Sequence, residues 1–291
     1  MFKIGIDLGG TKIETIILNA EGVEVYRNRV LTLQDRGYAA IVQTLAECYS
    51  NAVTIIHNAP HTFGIGTPGS ISRTTGLMKN SNTLCLNGKP FQRDLQKLIN
   101  RPVAIENDAN CFAMAEAAVG AGAGKNVVFG VIMGTGCGGG IIIKNTVLRG
   151  LQSLGGEWGH TTIDSNGPLC YCGKRGCVES YISGTGISDR FYDLTGKKLP
   201  AKHILESKLA EAVEVKDLFF EQFGRALSNI ISILDPDIIV LGGGLSNYAP
   251  LYTTGIECVE KYMFSDSLET PIVKNKTGDS AGVVGAAWIG I

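Results

Sequence analysis

Apolar and polar residues alternate at the start of the chain with the period of β-strands, and short turns separate the alternating stretches. FKIGID and KIETIILN stand on either side of the glycine turn DLGGT, and VEVYRNRV follows a second, polar turn. Helical spacing marks residues 38–56, where the apolar positions are Ile41, Leu45, Cys48 and Ala52. The pattern therefore predicts three strands, with a glycine turn between the first two, and then a long helix.

The same order of elements begins again near the middle of the chain. VVFGVIM, GTGCGGG, GIIIKN and TVLRG have the pattern of strand, glycine turn, strand and return strand, although sequence identity between the halves is slight. Such a repeat indicates an internal duplication, and hence two related α/β domains whose equivalent glycine turns face a shared cleft. We expect residues 1–118 and 279–291 to form a smaller N-terminal domain, closed by the C-terminal helix AGVVGAAWIG. Residues 119–278 would form the larger domain.

Composition and charge narrow the class of protein. The chain has 291 residues, of which 44% are hydrophobic and 18% charged, and its net charge is -1 at pH 7. This balance gives no broad attraction for nucleic acid or for a membrane surface. No run approaches the ~18 apolar residues of a membrane span, and the start MFKIGID lacks the apolar stretch of a signal peptide. We therefore expect a cytoplasmic protein that binds neither nucleic acid nor a membrane.

Three glycine turns each follow an apolar strand, at residues 9–11, 134–136 and 242–244. Glycine lets a backbone approach an anion closely, so successive N–H groups can hold phosphate, although a lone turn of this kind is more often a plain tight turn. GTGCGG fits G-x-G-x-x-G, but the strand-like GIIIKN follows it where a dinucleotide fingerprint needs a helix. GAGAGKN lacks the first glycine and the Ser/Thr of a P-loop. The turns therefore indicate a β-hairpin phosphate clamp that is used twice.

Acidic residues stand at the ends of two strands, and each has two interpretations. Asp7 either caps its turn or positions Mg²⁺-bound phosphates, because a charge at the end of an apolar strand needs a partner. Asn107 and Asp108 lie between the strand VAIE and a helix, where either can cap the helix. Ligands also bind at the carboxyl ends of strands in α/β sheets, so Asp108 is alternatively a base that accepts a proton from a hydroxyl.

A histidine and three cysteines lie close together in GEWGH and CYCGKRGCVE. Zn²⁺ binds such sets tetrahedrally, and a closed site of four protein ligands is structural; the alternative is free thiols beside an unrelated histidine. The predicted ligands are His160, Cys170, Cys172 and Cys177. The other histidines, His57, His61 and His203, are expected at the surface or in linkers.

Two glutamates flank the predicted zinc loop. Glu157 precedes it and Glu179 follows it. A loop that fixes both carboxylates would line a polar pocket able to bind several hydroxyl groups. In isolation, either residue is more simply explained as ordinary surface charge.

Taken together, these motifs resemble the ROK family of sugar kinases and repressors over essentially the whole chain. The matching segments are DLGGTK at 7–12, GTPGS at 66–70, ENDAN at 106–110, GTGCGGG at 134–140, GEWGH at 156–160, CYCGKRGCVE at 170–179 and DPDIIVLGGG at 235–244. The resemblance implies a duplicated ribonuclease-H-like, actin-like ATPase fold, with two α/β domains and the active site in the cleft between them. It also implies a homodimer.

The resemblance further implies a role for each matching residue. Asp108 would be the general base, and His160 would place one ring nitrogen on zinc and the other on the sugar. The implied sugar-binding residues are Asn82, Asn107, Asp108, Glu157, His160 and Glu179. The implied ATP-binding residues are Asp7, Gly9, Gly10, Thr11, Lys12, Gly134, Thr135, Gly136 and Gly138, with Gly243 and Gly244 at the adenosine pocket. The cofactors would be ATP, Mg²⁺ and structural Zn²⁺.

The sugar that the resemblance implies is D-fructose, phosphorylated at its 6-hydroxyl. The stretch GTPGSISRTTGLMKNSNTLCLNGKPF is most similar to bacterial fructokinases of broad hexose range, which extends the expectation to mannose and glucose. The spacer between His160 and Cys170 is short for the family, which trims the loop beside the sugar. The alternatives are an N-acetylglucosamine kinase or a glucokinase of the same family, or a sugar-sensing regulator without catalysis.

Overall fold

The computed structural model describes residues 1–291, which form two compact units. Unit 1 comprises residues 1–124, 145–155 and 277–291, and unit 2 comprises residues 125–144 and 156–276. The strands are β1 (Phe2–Leu8), β2 (Lys12–Leu18), β3 (Glu24–Leu31), β4 (His61–Thr67), β5 (Ser70–Ile71), β6 (Met78–Lys79), β7 (Ala104–Asn107), β8 (Val127–Met133), β9 (Cys137–Ile143), β10 (Thr146–Val147), β11 (Ile238–Gly242) and β12 (Ile272–Lys274). The helices are α1 (Gly37–Ile55), α2 (Phe91–Ile99), α3 (Asp108–Ala118), α4 (Glu179–Ile182), α5 (Gly184–Thr195), α6 (Ala201–Glu206), α7 (Ala210–Leu234), α8 (Thr254–Tyr262) and α9 (Ala281–Trp288).

Unit 1 is built on a mixed sheet in the order β3-β2-β1-β4-β7. β1 is antiparallel to β2 and parallel to β4, which is in turn parallel to β7. Because strand side chains alternate between the two faces, Ile4 and Ile6 pack into the core that contains α1, while Gly5 faces α9. A Cβ atom at Gly5 would lie 2.5 Å from the backbone of Ala287, so only glycine lets α9 lie directly on the sheet.

Unit 2 repeats this plan with the strands β9-β8-β11-β12 in spatial order. β8 forms an antiparallel hairpin with β9 and lies parallel to β11, which is parallel to β12. The 25-residue helix α7 contributes Phe219 and Phe223 to the main core of this unit. The predicted α/β duplication is therefore present, because a hairpin around a glycine turn opens the sheet of each unit.

The division into units differs from the predicted boundaries at residues 119–124, 145–155 and 277–278, which belong to unit 1. Ion pairing and hydrogen bonding explain why residues 145–155 belong to unit 1. Arg149 pairs with the buried Glu106, and the Arg73 guanidinium donates to the carbonyls of Gly150 and Leu151 at 3.1 and 3.0 Å. The two units are also similar in length, whereas the sequence predicted a smaller and a larger domain.

His61 is not the surface residue that the sequence analysis expected. Its side chain is buried, with ring Nε2 3.0 Å from the hydroxyl of Tyr49 and 2.8 Å from the Arg101 guanidinium. Burial, followed by the charge of Arg101, lowers the pKa of His61. None of the helices, α7 included, combines the length and the apolar character that crossing a bilayer requires.

Candidate functional site

The first glycine turn closes the β1–β2 hairpin of unit 1. The Gly9 N–H donates to the carbonyl of Lys12 at 2.9 Å, and the Gln34 amide donates to the carbonyl of Gly10. Thr11 and Lys12 are exposed, and Lys12 Nζ lies 3.9 Å from Glu14 Oε2. The turn thus leaves Thr11 and the cation of Lys12 accessible to a ligand, and its role as a phosphate clamp remains a prediction.

Asp7 is the second-last residue of β1, next to this turn, and its carboxylate is closely packed. A Cβ atom at Gly282 of α9 would lie 2.9 Å from its Oδ2, and one at Gly66 would lie 3.2 Å from its Oδ1. Burial, then the negative charges of Asp108 and Glu14, raise the pKa of Asp7 to about 6. Since burial and neighbouring carboxylates disfavour the ionised form of Asp7, a cation bound nearby would stabilise that form.

Asn107 and Asp108 stand where β7 passes directly into α3. Asn107 is the N-cap, because its Oδ1 accepts the N–H of Asn110 at 2.7 Å, and Asp108 Oδ1 accepts the N–H of Ala109 at 2.9 Å. The surrounding protein partly desolvates the Asp108 carboxyl and raises its pKa. The capping alternative therefore holds for Asn107, whereas Asp108 is solvent-exposed at the helix start and has a second oxygen to spare, as a proton acceptor requires.

The remaining predicted residue of unit 1, Asn82, lies in the segment between β6 and α2. Its side chain is exposed. The backbone around it is fixed by Asn87, whose Oδ1 accepts the N–H of Ser81 at 2.9 Å and whose amide donates to the carbonyl of Ser81 at 2.8 Å. Asn82 is thus presented on an ordered loop with its amide group open to a ligand.

The second glycine turn closes the β8–β9 hairpin of unit 2. The Gly134 N–H donates to the carbonyl of Gly136 at 3.0 Å. Trp158 packs beneath β9 and donates from Nε1 to the carbonyl of Gly138 at 3.1 Å, and a Cβ atom at Gly139 would lie 2.6 Å from its ring. Gly139 is therefore needed for close packing against Trp158, whereas a Cβ atom at Gly134 would meet nothing within 4 Å.

A cavity of about 830 Å³ lies in unit 2 next to this turn, within the usual size range of small-molecule sites. Its walls are Gly134, Thr135, Gly184, Thr185, Ser188, Asp189, Lys198, Ala201, Lys202, Leu205, Glu206, Gly244, Leu245, Asn247 and Tyr248. Of the two glycines expected at the adenosine pocket, Gly244 lines the cavity. Gly243 instead has a φ of 78° and packs against the backbone of Met133.

The four predicted zinc ligands come together in unit 2. The ligand atoms of His160, Cys170, Cys172 and Cys177 all lie within 4.8 Å of one another. Cys170 Sγ is 3.6 Å from His160 Nδ1, and Cys172 Sγ is 3.6 Å from Cys177 Sγ. Tetrahedral Zn²⁺ with bonds of ~2.0–2.3 Å separates such ligand atoms by about 3.5–3.8 Å. Both the donor set and its spacing therefore fit zinc.

The second ring nitrogen of His160 has a partner that the sequence analysis did not foresee. His160 Nε2 lies 2.9 Å from the hydroxyl of Tyr171, whose ring stands edge-on to the imidazole. Tyr171 itself is exposed. A sugar hydroxyl reaching this nitrogen would therefore replace or share the Tyr171 contact.

The two glutamates that flank the predicted zinc ligands differ in their surroundings. Glu157 is exposed and precedes the short 3₁₀ turn Trp158–His160. Glu179 is half-buried at the start of α4, and its Oε2 accepts the N–H of Cys137 at 2.8 Å. The structure thus brings Glu179 onto the second glycine turn.

Sequence reasoning missed most of the cavity walls. Lys198, between α5 and α6, and Lys202, on α6, contribute cations to the walls, and Tyr248, after β11, contributes an aromatic ring. Helix α5 was not predicted because it begins with Gly184–Thr185–Gly186, and glycine disfavours helices. Ser183 nevertheless caps this helix by accepting the N–H of Gly186 at 2.9 Å. The serine at position 183, a residue type that often caps helices, was the signal available in the sequence.

Comparison with known proteins shows a matching family and several similar sugar kinases. The model of the ROK family matches residues 3–291. An N-acetyl-D-glucosamine kinase of Haemophilus influenzae is 36% identical over 297 residues, which are 97% of each chain. Two solved structures are similar: a ROK hexokinase from Thermus thermophilus (TM-score 0.90, 28% identity, 100% of this chain and 98% of that one) and a ROK glucokinase from Streptomyces griseus in complex with glucose and AMPPNP (0.75, 26%, 100% and 99%).

The names of these relatives do not support the fructokinase assignment. They agree with two of the stated alternatives, an N-acetylglucosamine kinase and a glucokinase of the same family. The α/β architecture with a duplicated glycine-turn hairpin is that of the actin-like ATPase fold. With a match from residue 3 to residue 291, the chain belongs to the ROK family of sugar kinases.

Proposed function

We propose that this protein transfers the γ-phosphoryl group of ATP to the 6-hydroxyl of a hexose, with N-acetyl-D-glucosamine as the first candidate. The observation that carries the proposal is the solvent-exposed carboxylate of Asp108 directly after the carboxyl end of β7, near enough to Asp7 to raise the pKa of that residue, which precedes the first glycine turn. The relative from Haemophilus influenzae supports the choice of sugar.

Asp108 is the general base of the proposed reaction. The sugar 6-hydroxyl oxygen forms a bond to the γ-phosphorus, the bond from that phosphorus to the β–γ bridging oxygen breaks, and the hydroxyl proton passes to Asp108. ADP leaves with the bridging oxygen. Because phosphoryl transfer depends mainly on positioning and charge stabilisation, a base that is held rigidly at a helix start suits this role.

The two glycine turns and Asp7 would bind MgATP. Backbone N–H groups of both turns would bind the phosphates, and the unit 2 cavity, with Lys198 and Lys202 in its wall, would take the remainder of ATP. Mg²⁺ bound with ATP neutralises phosphate charge, and Asp7 is the carboxylate of unit 1 suited to attract it. Of the glycines expected at the adenosine pocket, Gly244 fits the proposal better than Gly243.

Asn82, Asn107, Glu157, His160 and Glu179 would hold the sugar hydroxyls. His160, Cys170, Cys172 and Cys177 would hold a structural Zn²⁺ that fixes the loop between Glu157 and Glu179. A homodimer remains a prediction, which light scattering coupled to size-exclusion chromatography tests.

D-Fructose is the second candidate substrate, because residues 66–91 resemble the fructokinases of the family. The test is a coupled assay for ADP with ATP and a panel of N-acetylglucosamine, fructose, mannose and glucose. The proposal expects the highest kcat/KM with N-acetylglucosamine. A higher value with fructose would favour the second candidate, and sugar binding without ADP release would show a regulator.

A further inference from the structure

The carboxylate of Glu179 touches the second glycine turn directly. Its Oε2 accepts the N–H of Cys137, the residue that follows the turn, at 2.8 Å. Glu179 and the turn both belong to unit 2, and 42 positions of the chain separate Glu179 from Cys137. The contact is therefore a tertiary one between the segment after the metal cluster and the β8–β9 hairpin.

The glycine at position 136 is explained by this contact. A Cβ atom there would lie 2.6 Å from Glu179 Oε2, whereas one at Gly134 would meet nothing within 4 Å. Gly136 is thus needed to admit the carboxylate, and not only to let a phosphate approach the backbone.

Two main-chain hydrogen bonds join the same two segments. The Gly184 N–H donates to the carbonyl of Gly134 at 2.7 Å, and the Thr185 N–H donates to the carbonyl of Thr135 at 3.1 Å. Those four residues also line the 830 Å³ cavity. Glu179 adds a charged acceptor to this junction, and hydrogen bonds to charged groups are stronger than neutral ones.

We infer that Glu179 is a positioning residue for the nucleotide, holding the second glycine turn in the conformation that binds phosphate. The inference rests on the proposed function, which assigns Glu179 to the sugar alone. Because Glu179 follows Cys177 by two residues, the loop that carries the metal ligands also carries the anchor of the turn.

The test measures binding of AMPPNP with Mg²⁺ by calorimetry, without sugar, to four proteins: the wild type, Glu179→Ala, Glu179→Gln and Glu157→Ala. Glu179→Ala removes the acceptor and should weaken binding about tenfold, which is 1.4 kcal/mol. Glu179→Gln should stay within about twofold of the wild type, because its amide oxygen accepts the same N–H. Glu157→Ala is the matched control, since exposed Glu157 has no hydrogen bond to the turn, and it should keep the wild-type nucleotide affinity while losing sugar affinity.

Zinc content and circular dichroism check that each variant retains its loop and fold. Should Glu179→Ala fail to fold, Gly136→Ala displaces the carboxylate while leaving it present, and it should weaken AMPPNP binding to a similar extent. Wild-type affinity in Glu179→Ala or in Gly136→Ala overturns the inference, as does a Glu179→Gln variant as weak as Glu179→Ala. A wild-type protein that binds no nucleotide contradicts the proposed function itself, so the two failures are distinguishable.

Discussion

Asp7 lies close enough to Asp108 for the charge of Asp108 to contribute, after burial, to raising the pKa of Asp7 to about 6. A carboxylic acid is neutral below its pKa, so Asp7 loses its charge as the pH falls through about 6. Its attraction for a phosphate-bound cation is lost over the same range. The KM for MgATP should therefore rise as the pH falls from 7.5 to 5.

The variant Asp7→Asn provides the control for this pH dependence. ATP itself changes protonation in the same range, and both proteins experience that change equally. The variant should show a raised KM for MgATP at pH 7.5 and a weaker pH dependence than the wild type. Parallel profiles for the two proteins would contradict a role for the Asp7 charge.

Replacing Asp108 by asparagine should abolish most of the turnover. The change keeps the shape of the side chain and its acceptor for the N–H of Ala109, but the amide cannot take the hydroxyl proton. Because a general base contributes ~10²–10⁴-fold, kcat should fall by that factor while the KM for sugar changes little. The coupled ADP assay measures both constants, and near-normal kcat would remove Asp108 from the mechanism.

Loss of the metal should affect the sugar site and the stability together. Cys177→Ser removes one ligand of the cluster, and the loop that carries Glu157 and Glu179 should become mobile. We expect zinc below one ion per chain by elemental analysis, a lower Tm and a raised KM for sugar. Cys258→Ser, in α8 outside the cluster, is the control. Wild-type protein purified in reducing buffer without bound zinc would disprove the site.

Gly5→Ala should destabilise unit 1. The added Cβ would lie 2.5 Å from the backbone nitrogen of Ala287 and from the carbonyl oxygen of Val283, so α9 must shift. Overpacking of this kind costs ~1–3 kcal/mol, which lowers Tm by several degrees in thermal unfolding. Gly244→Ala, where nothing lies within 4 Å of the added atom, should leave Tm unchanged. Equal Tm values for both variants would contradict the packing argument.

The elements with strong periodicity could be predicted from the sequence. Residues 38–56 were expected to be helical and α1 spans Gly37–Ile55, because one face of apolar residues meets the sheet. The cluster of His160, Cys170, Cys172 and Cys177 was also predictable, since its members are close in sequence. By contrast, α5, α6 and α8 were not predicted, and the return strand TVLRG shortens to Thr146–Val147.

Contacts between distant residues account for what the sequence could not predict. Nothing local distinguishes a glycine that admits a carboxylate, such as Gly136, from one that approaches a phosphate. Likewise, the role of Arg149 depends on Glu106, which precedes it by 43 positions. The site roles carried over from the family remain predictions until the variants above are measured.

The packing of α9 on the first strands of the chain affects the order of folding during synthesis. Gly5 and Gly64 both abut this helix, which follows every element of unit 2 in the chain. One face of the N-terminal sheet therefore stays uncovered until the residues that follow unit 2 have been synthesised. A chain truncated before Ala281 should expose that face of the sheet.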